Sequence, residues 1–251
     1  MTGRERRLLR MLCMTASGGG GDKPWDEMTW DDVIAATKNG KYKDFEIGAM
    51  KELDLGPEGI VHMQIAGIDE DDLADGSGKA PLTFISKEAS LLYSIWNPQL
   101  SPSSAPYDVG TGTIGGWEMS EFRKFMKETV TPLIPENVRN AIKTVVKYSN
   151  IFNASGEKVN DSVTYDTVWT PSYLEVFGTA RSAETLGPFY SGVFTSDASR
   201  KKTLPGTGEI ANWSLRTAYD TNRCMYVYKD DGKLYPAGVS TTKRFALGFC
   251  L

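Results

Sequence analysis

The 251-residue chain carries 28 lysines and arginines against 32 aspartates and glutamates, for a formal net charge of −4. No global field therefore draws it to nucleic acid, and no apolar run reaches the roughly 20 residues a membrane helix needs. Hydrophobic residues at 40% and charged residues at 24% are ordinary for a soluble domain with a sizeable core.

The first 14 residues are rich in arginine, and Arg10 interrupts their short apolar stretch, so they do not read as a signal peptide. They read as a basic amphipathic tail, followed by the flexible stretch Ser17–Gly21. The expected organisation is a tail and hinge over 1–21 and one domain over 22–251. Thr29 looks like an N-cap, with Asp31 and Asp32 in the first turn and Gly40 ending the helix. Two alternating runs flank Gly56-Pro57-Glu58-Gly59 and predict a β-hairpin. An acidic loop, Asp69–Gly78, precedes a strand over Pro81–Ser86, and Asn97–Gly116 reads as a long surface loop.

Met119, Phe122, Phe125 and Met126 recur at helical spacing, as do Val138, Ile142, Val145 and Val146 after Pro135. Asn150–Asp166 reads as a polar loop, and a short helix ends at Gly178. Strands are expected over Trp213–Tyr219, Cys224–Tyr228 and Lys243–Leu251, with a turn at Asp230-Asp231-Gly232. The whole predicts an α+β fold of mostly antiparallel strands with two to four helices.

Little in the chain announces catalysis. His62 is the single histidine, and no local motif supplies triad partners. Asp69–Gly76 fails as an EF-hand because Leu73 and Leu82 stand where ligands are required, so a solvated acidic loop is expected. Gly110–Gly116 lacks the Lys-Ser/Thr of a phosphate-binding loop. Cys13, Cys224 and Cys250 form no metal knuckle and are expected as free, partly buried thiols. No metal or other cofactor is expected. The C-terminal third instead interleaves Tyr219, Asp220, Asn222, Arg223, Tyr226, Tyr228 and Tyr235 with turn residues, and Ser240 follows. Such residues suit recognition loops, although aromatics also suit any half-buried strand. Composition leaves these two readings even.

An ordered set of motifs does more. Gly116-Trp-Glu-Met-Ser-Glu-Phe-Arg123, Pro132-Leu-Ile-Pro135, Val168-Trp-Thr-Pro-Ser-Tyr-Leu-Glu-Val-Phe-Gly178, Trp213-Ser-Leu-Arg216 and Leu247-Gly-Phe-Cys-Leu251 together resemble a C-type-lectin-like domain. That domain is common in gut bacterial surface proteins and phage tail proteins. It is similar in fold to the variable proteins of diversity-generating retroelements. The resemblance implies Trp117, Trp169 and Trp213 as core anchors, with Arg123 and Arg216 as partners of buried carboxylates or carbonyls. It places a ligand-binding surface, open to diversification, between Thr217 and Thr242. The implied contacts are Tyr219, Asp220, Asn222, Arg223, Tyr226, Tyr228, Tyr235 and Ser240.

The implied function is non-catalytic binding of a protein or glycan receptor on a host or neighbouring cell, from a phage tail or a bacterial surface, with homo-oligomers as a further expectation. The Glu-Pro-Asn loop of calcium-dependent lectins is missing, so calcium-dependent sugar binding is not expected. Two alternatives stay open: an oxidative enzyme of the formylglycine-generating type using Cys224 and Cys250, and a structural virion component.

Overall fold

A computed structural model describes residues 23–98, 112–153, 155–179 and 186–251. The basic tail, the glycine hinge, Cys13 and most of the loop expected over 97–116 lie outside the described residues.

Helix α1 (Trp30–Asn39) opens on a capping box: the Asp32 amide donates to Thr29 Oγ1, and the Thr29 amide donates to Asp32 Oδ2 at 2.7 Å. It closes on Gly40 at φ +78°, a left-handed conformation that glycine adopts without a Cβ penalty. Strands β1 (Met50–Asp54) and β2 (Ile60–Ile68) form the expected hairpin, with Leu53 opposite Val61. On β2, His62 is held by Glu88, which accepts from its backbone amide and lies 2.9 Å from Nδ1. Strand β3 (Leu82–Ser86) is buried on both faces.

Helix α2 (Glu121–Phe125) runs on through a π turn and a 3-10 turn to Leu133, and α3 (Glu136–Ala141) follows. Next come the strands β4 (Val145–Phe152), β5 (Lys158–Asp166) and β6 (Val168–Trp169), then α4 (Tyr173–Phe177) and α5 (Asp197–Arg200). The chain ends with β7 (Lys202–Thr203), β8 (Ile210–Ala211), β9 (Trp213–Asp220), β10 (Arg223–Val227), β11 (Leu234–Gly238), β12 (Arg244–Phe245) and β13 (Gly248–Cys250).

The strands assemble as β1-β2-β3-β13-β6 and β11-β10-β9-β12, plus the pairs β4-β5 and β7-β8. Every pairing is antiparallel except β12 with β9. The fold is α+β, with five α-helices among the described residues rather than two to four. The additional one is the single turn α5, capped by Ser196. Insertion of β13 between β3 and β6 ties the C-terminus into the central sheet.

Two expectations fail between 145 and 166. Val145 and Val146 do not extend a helix, and Asn150–Asp166 is not a loop; the two segments pair as the long β4–β5 hairpin. Beyond Val145, the inward positions of this hairpin are largely polar. Lys147, Ser149, Ser162, Thr164 and Asp166 are all buried, so the alternation of hydrophobic and polar residues that marks a half-buried strand is missing. Val138, Ile142 and Val145 then mimic a helical stripe across a strand boundary.

The core has two parts. The larger joins α1, the central sheet and α2 around Trp96, Trp117, Phe84 and Phe249. The smaller lies under the C-terminal sheet around Trp213, Tyr190, Phe194 and Met225.

Candidate ligand-binding face

Strand β9 carries Trp213–Ala218 entirely buried, then emerges at Tyr219. Its pairing with β10 slips: Ala218 faces Cys224, but Ser214 faces Tyr226. The extra residues form a bulge that turns Arg216 inward, the kind of local re-aiming bulges provide. β10 then buries Cys224, Met225 and Val227 and leaves Tyr226 half-buried.

Tyr226 sits directly opposite Tyr235 of β11, ring centroids 6.3 Å apart. Tyr228, two residues on and therefore on the same side, packs edge-on against Tyr235 at 5.1 Å. Tyr235 Oη donates to Asp231 Oδ2 at 2.9 Å, and Lys243 Nζ stands 4.9 Å over the Tyr226 ring. Each phenol is pushed above its ordinary pKa: Tyr226 by burial, Tyr228 by its hydrogen bond to Asp230, Tyr235 by its hydrogen bond to Asp231. The three rings therefore stay neutral near pH 7. The turn joining β10 to β11 is fixed by Gly232, at φ +71°, where an added Cβ would come within 1.9 Å of the Asp197 carbonyl oxygen of α5.

A second group lies at the other end of β10, about 10 Å along the strand from Tyr226. Arg223 pairs with Asp220, Nη2 to Oδ2 at 2.5 Å, and its guanidinium covers Tyr219 at 4.7 Å. The Asn222 amide donates to Asp220 Oδ1, and the Asn222 carbonyl accepts from Val239, beside exposed Ser240. None of Tyr219, Asp220, Asn222, Arg223, Tyr226, Tyr228, Tyr235 and Ser240 is buried. They form two neighbouring groups on and beside the three adjacent strands β9, β10 and β11.

Four of the five residues expected as structural supports lie inside, and Arg123 is partly buried, its side chain 30% exposed. Trp117, Trp169 and Trp213 have no exposure. Asp166 accepts from both Trp117 Nε1 at 2.9 Å and Arg123 Nε at 2.7 Å. Trp213 Nε1 donates to the Arg200 carbonyl. Arg216 binds Glu175 through both terminal nitrogens, at 2.6 and 2.8 Å.

Arg216 also belongs to a buried ionic cluster that motif reading misses. Lys147 Nζ lies 2.6 Å from Asp71 Oδ1, 3.0 Å from Glu175 Oε1 and 2.9 Å from Tyr190 Oη, and 3.8 Å over the Trp169 ring. Thr83 and Tyr190 both donate to Asp71. Asp71 is thus not part of a solvated acidic loop; it is 1% exposed because Lys147 needs a counter-charge inside. The cluster is neutral, with two cations and two carboxylates. Burial by itself would raise the Glu175 pKa, but Arg216 and Lys147 outweigh it and hold the carboxyl at about 2. Burial likewise disfavours the Lys147 ammonium, and Asp71 and Glu175 reverse that. Both groups are locked in their charged forms and shut off from solvent, which suits support rather than proton transfer. Glu175 gave little warning, because it reads as the capping-box glutamate of Ser172-x-x-Glu175 and also serves as one.

Cys224 and Cys250 are unpaired and buried. Burial pushes Cys224 to about 12 and raises Cys250 well above its usual value, with Asp71 adding to the latter. Among the described residues, no group of three or more His, Cys, Asp or Glu is placed to hold a metal ion, and no helix is long and apolar enough to cross a membrane.

These features define an α+β domain of mostly antiparallel strands with a tyrosine-rich strand pair on its surface. The chain belongs to the DUF6273 family, whose model, described as a domain of unknown function, matches residues 83–244, from β3 to β12. The match contains Lys147, Glu175, Tyr190, Arg216 and all eight surface residues, while Asp71 and Cys250 lie outside it. No curated protein and no solved structure matches the chain.

Proposed function

We propose that the protein is a non-catalytic binding module of C-type-lectin-like architecture, displayed on a phage tail or bacterial surface, whose β10–β11 face touches a protein or glycan receptor. The observation that carries this reading is the Tyr226–Tyr228–Tyr235 cluster. Three neutral rings stand on the surface of β10 and β11, on the side of β10 opposite the buried Met225 and Val227. Rigid aromatic groups with polar tips give contact area at low entropic cost, which is what a recognition surface requires. A fixed backbone beneath them tolerates substitution between Thr217 and Thr242.

The oxidative-enzyme alternative needs an activated thiolate. The burial and raised pKa of Cys224 and Cys250 speak against it.

The test uses the labelled full chain on a panel of bacterial cell envelopes, beside a Tyr226→Ala/Tyr235→Ala variant with matched thermal unfolding. Retention by at least one envelope, reduced at least about tenfold in the variant, is the expected result for a loss of aromatic anchors. Equal retention of the two proteins would remove this face from the reading.

A further inference from the structure

Beside the tyrosine cluster the chain builds an open groove of about 230 Å³, lined among others by Tyr93, Glu209, Asn212, Lys229, Lys243 and Arg244. We infer that this groove holds a carboxylate-bearing sugar unit of a larger glycan. The inference rests on reading the adjoining face as a binding surface and names the ligand class that face would take.

The charge of the groove carries the inference. Three cations face one carboxylate, in a chain whose net charge is −4. Among the described residues, no carboxylate forms an ion pair with Lys229, Lys243 or Arg244. Arg244 is instead held by neutral acceptors. Nη1 donates to the carbonyls of Ser90 at 3.0 Å and Leu91 at 2.7 Å, and Nη2 donates to Tyr93 Oη at 2.6 Å. Its guanidinium lies 4.2 Å over the Tyr93 ring. Lys243 is fixed through its backbone, which exchanges two hydrogen bonds with Ser94 at 2.9 and 3.0 Å. Its ammonium is partly desolvated, which lowers its pKa. Lys243 and Arg244, positioned in advance and without counter-charges beside the exposed Lys229, are what an incoming carboxylate needs.

The rest of the lining favours a sugar over an acidic peptide. The volume falls below the roughly 300–1,000 Å³ of pockets that enclose drug-sized ligands, so the groove takes one unit of an extended chain. Tyr93 is 54% exposed, and the part of its ring that Arg244 leaves uncovered offers a flat apolar surface matching the apolar face of a pyranose. Asn212 uses Oδ1 to accept from the Lys229 amide at 2.8 Å, leaving its N–H groups to the groove. Lys243 links the groove to the Tyr226 ring, so the next sugar unit would lie on the tyrosine cluster.

The experiment applies the full chain to an array of uronate- and sialate-containing oligosaccharides, their neutral counterparts and a polyglutamate peptide. Wild type is compared with Lys229→Glu, Lys243→Gln and the Tyr226→Ala/Tyr235→Ala variant, each checked for unchanged thermal unfolding. The expected result is binding of at least one acidic oligosaccharide about tenfold tighter than its neutral counterpart, weakened about tenfold by Lys229→Glu and falling with added salt. Binding of neutral counterparts or of polyglutamate at equal strength, indifference to both lysine changes, or no binding of any acidic oligosaccharide would each overturn it. A chain that binds cell envelopes through Tyr226 and Tyr235 yet ignores every acidic oligosaccharide keeps the surface reading and loses this one.

Discussion

Arg216 grips Glu175 with a two-point fork, Nη1 to Oε2 at 2.6 Å and Nη2 to Oε1 at 2.8 Å, and each residue is only 1% exposed. The fork links β9, which leads into the tyrosine face, to α4, and through Lys147 to the β4–β5 hairpin. It is therefore the joint that holds the surface strands on the scaffold.

Glu175→Gln leaves Lys147 and Arg216 facing a single buried carboxylate, Asp71. Removing one partner of such a pair costs about 3–5 kcal/mol, whereas replacing both with apolar residues of similar volume is far milder. Denaturant unfolding is expected to show a loss of that size for Glu175→Gln and substantial recovery in Arg216→Met/Glu175→Leu. A Glu175→Gln loss under about 1 kcal/mol would mean the fork contributes little.

Acid should act through the same residue. Glu175 titrates near 4.5 when unfolded and at about 2 in the native fold. Its depressed pKa stabilises the fold fully above about pH 4.5, and that contribution is lost as the pH falls toward 2. The difference is worth about 3 kcal/mol at 1.36 kcal/mol per pH unit. Stability measured across that window should fall more steeply in wild type than in Glu175→Gln; parallel curves would contradict the assignment.

At Lys202 the charged form is penalised rather than favoured, although stability again rises with pH. Only 2% exposed, it lies over the rings of Trp213 and Phe194 and donates to the Ser86 carbonyl, with no carboxylate ion-paired to it among the described residues. Burial lowers its pKa from 10.5 to about 7. Below pH 7 the folded state carries a desolvated ammonium and the full penalty. As the pH rises from 7 towards 10.5, the unfolded chain still holds the proton that the folded chain has lost, so stability increases. Lys202→Met should stabilise the protein by a few kcal/mol at pH 6, with the gain shrinking towards pH 10. A destabilised variant at pH 6 would show that the Ser86 hydrogen bond and ring contacts outweigh desolvation.

Surface and scaffold should separate cleanly by mutation. Tyr235→Ala removes an exposed ring and one hydrogen bond to Asp231, so its effect on unfolding should stay within about 1 kcal/mol. Trp213→Ala removes a wholly buried ring and should cost about 3–5 kcal/mol. Comparable losses at the two positions, measured by denaturant titration, would mean that the tyrosine face is part of the core.

Local rules written in neighbouring residues survive from sequence to structure. Thr29 and Asp32 cap a helix that Gly40 ends, Gly56-Pro-Glu-Gly59 turns a hairpin, and a short helix closes at Gly178. Each depends on hydrogen bonds spanning a few residues, which spacing reveals. The tyrosines of β10 were legible as residue types, and so was their position near a turn. Whether they faced water was not, because composition cannot tell the outer side of a strand from the inner.

What only the tertiary structure decided is the pairing of distant charges. Asp71 stands among exposed-looking acids, and Lys147 breaks the apolar pattern of its strand. Burial of each is tolerable only because chain segments 76 residues apart bring Asp71 Oδ1 to 2.6 Å from Lys147 Nζ. The groove arises in the same way: Arg244 meets Tyr93 across 151 residues. The sequence by itself determined the caps, turns, apolar anchors and aromatic supply. Long-range packing decided which polar residues went inside, since the free energy of burying a charge depends on a partner that local sequence does not name.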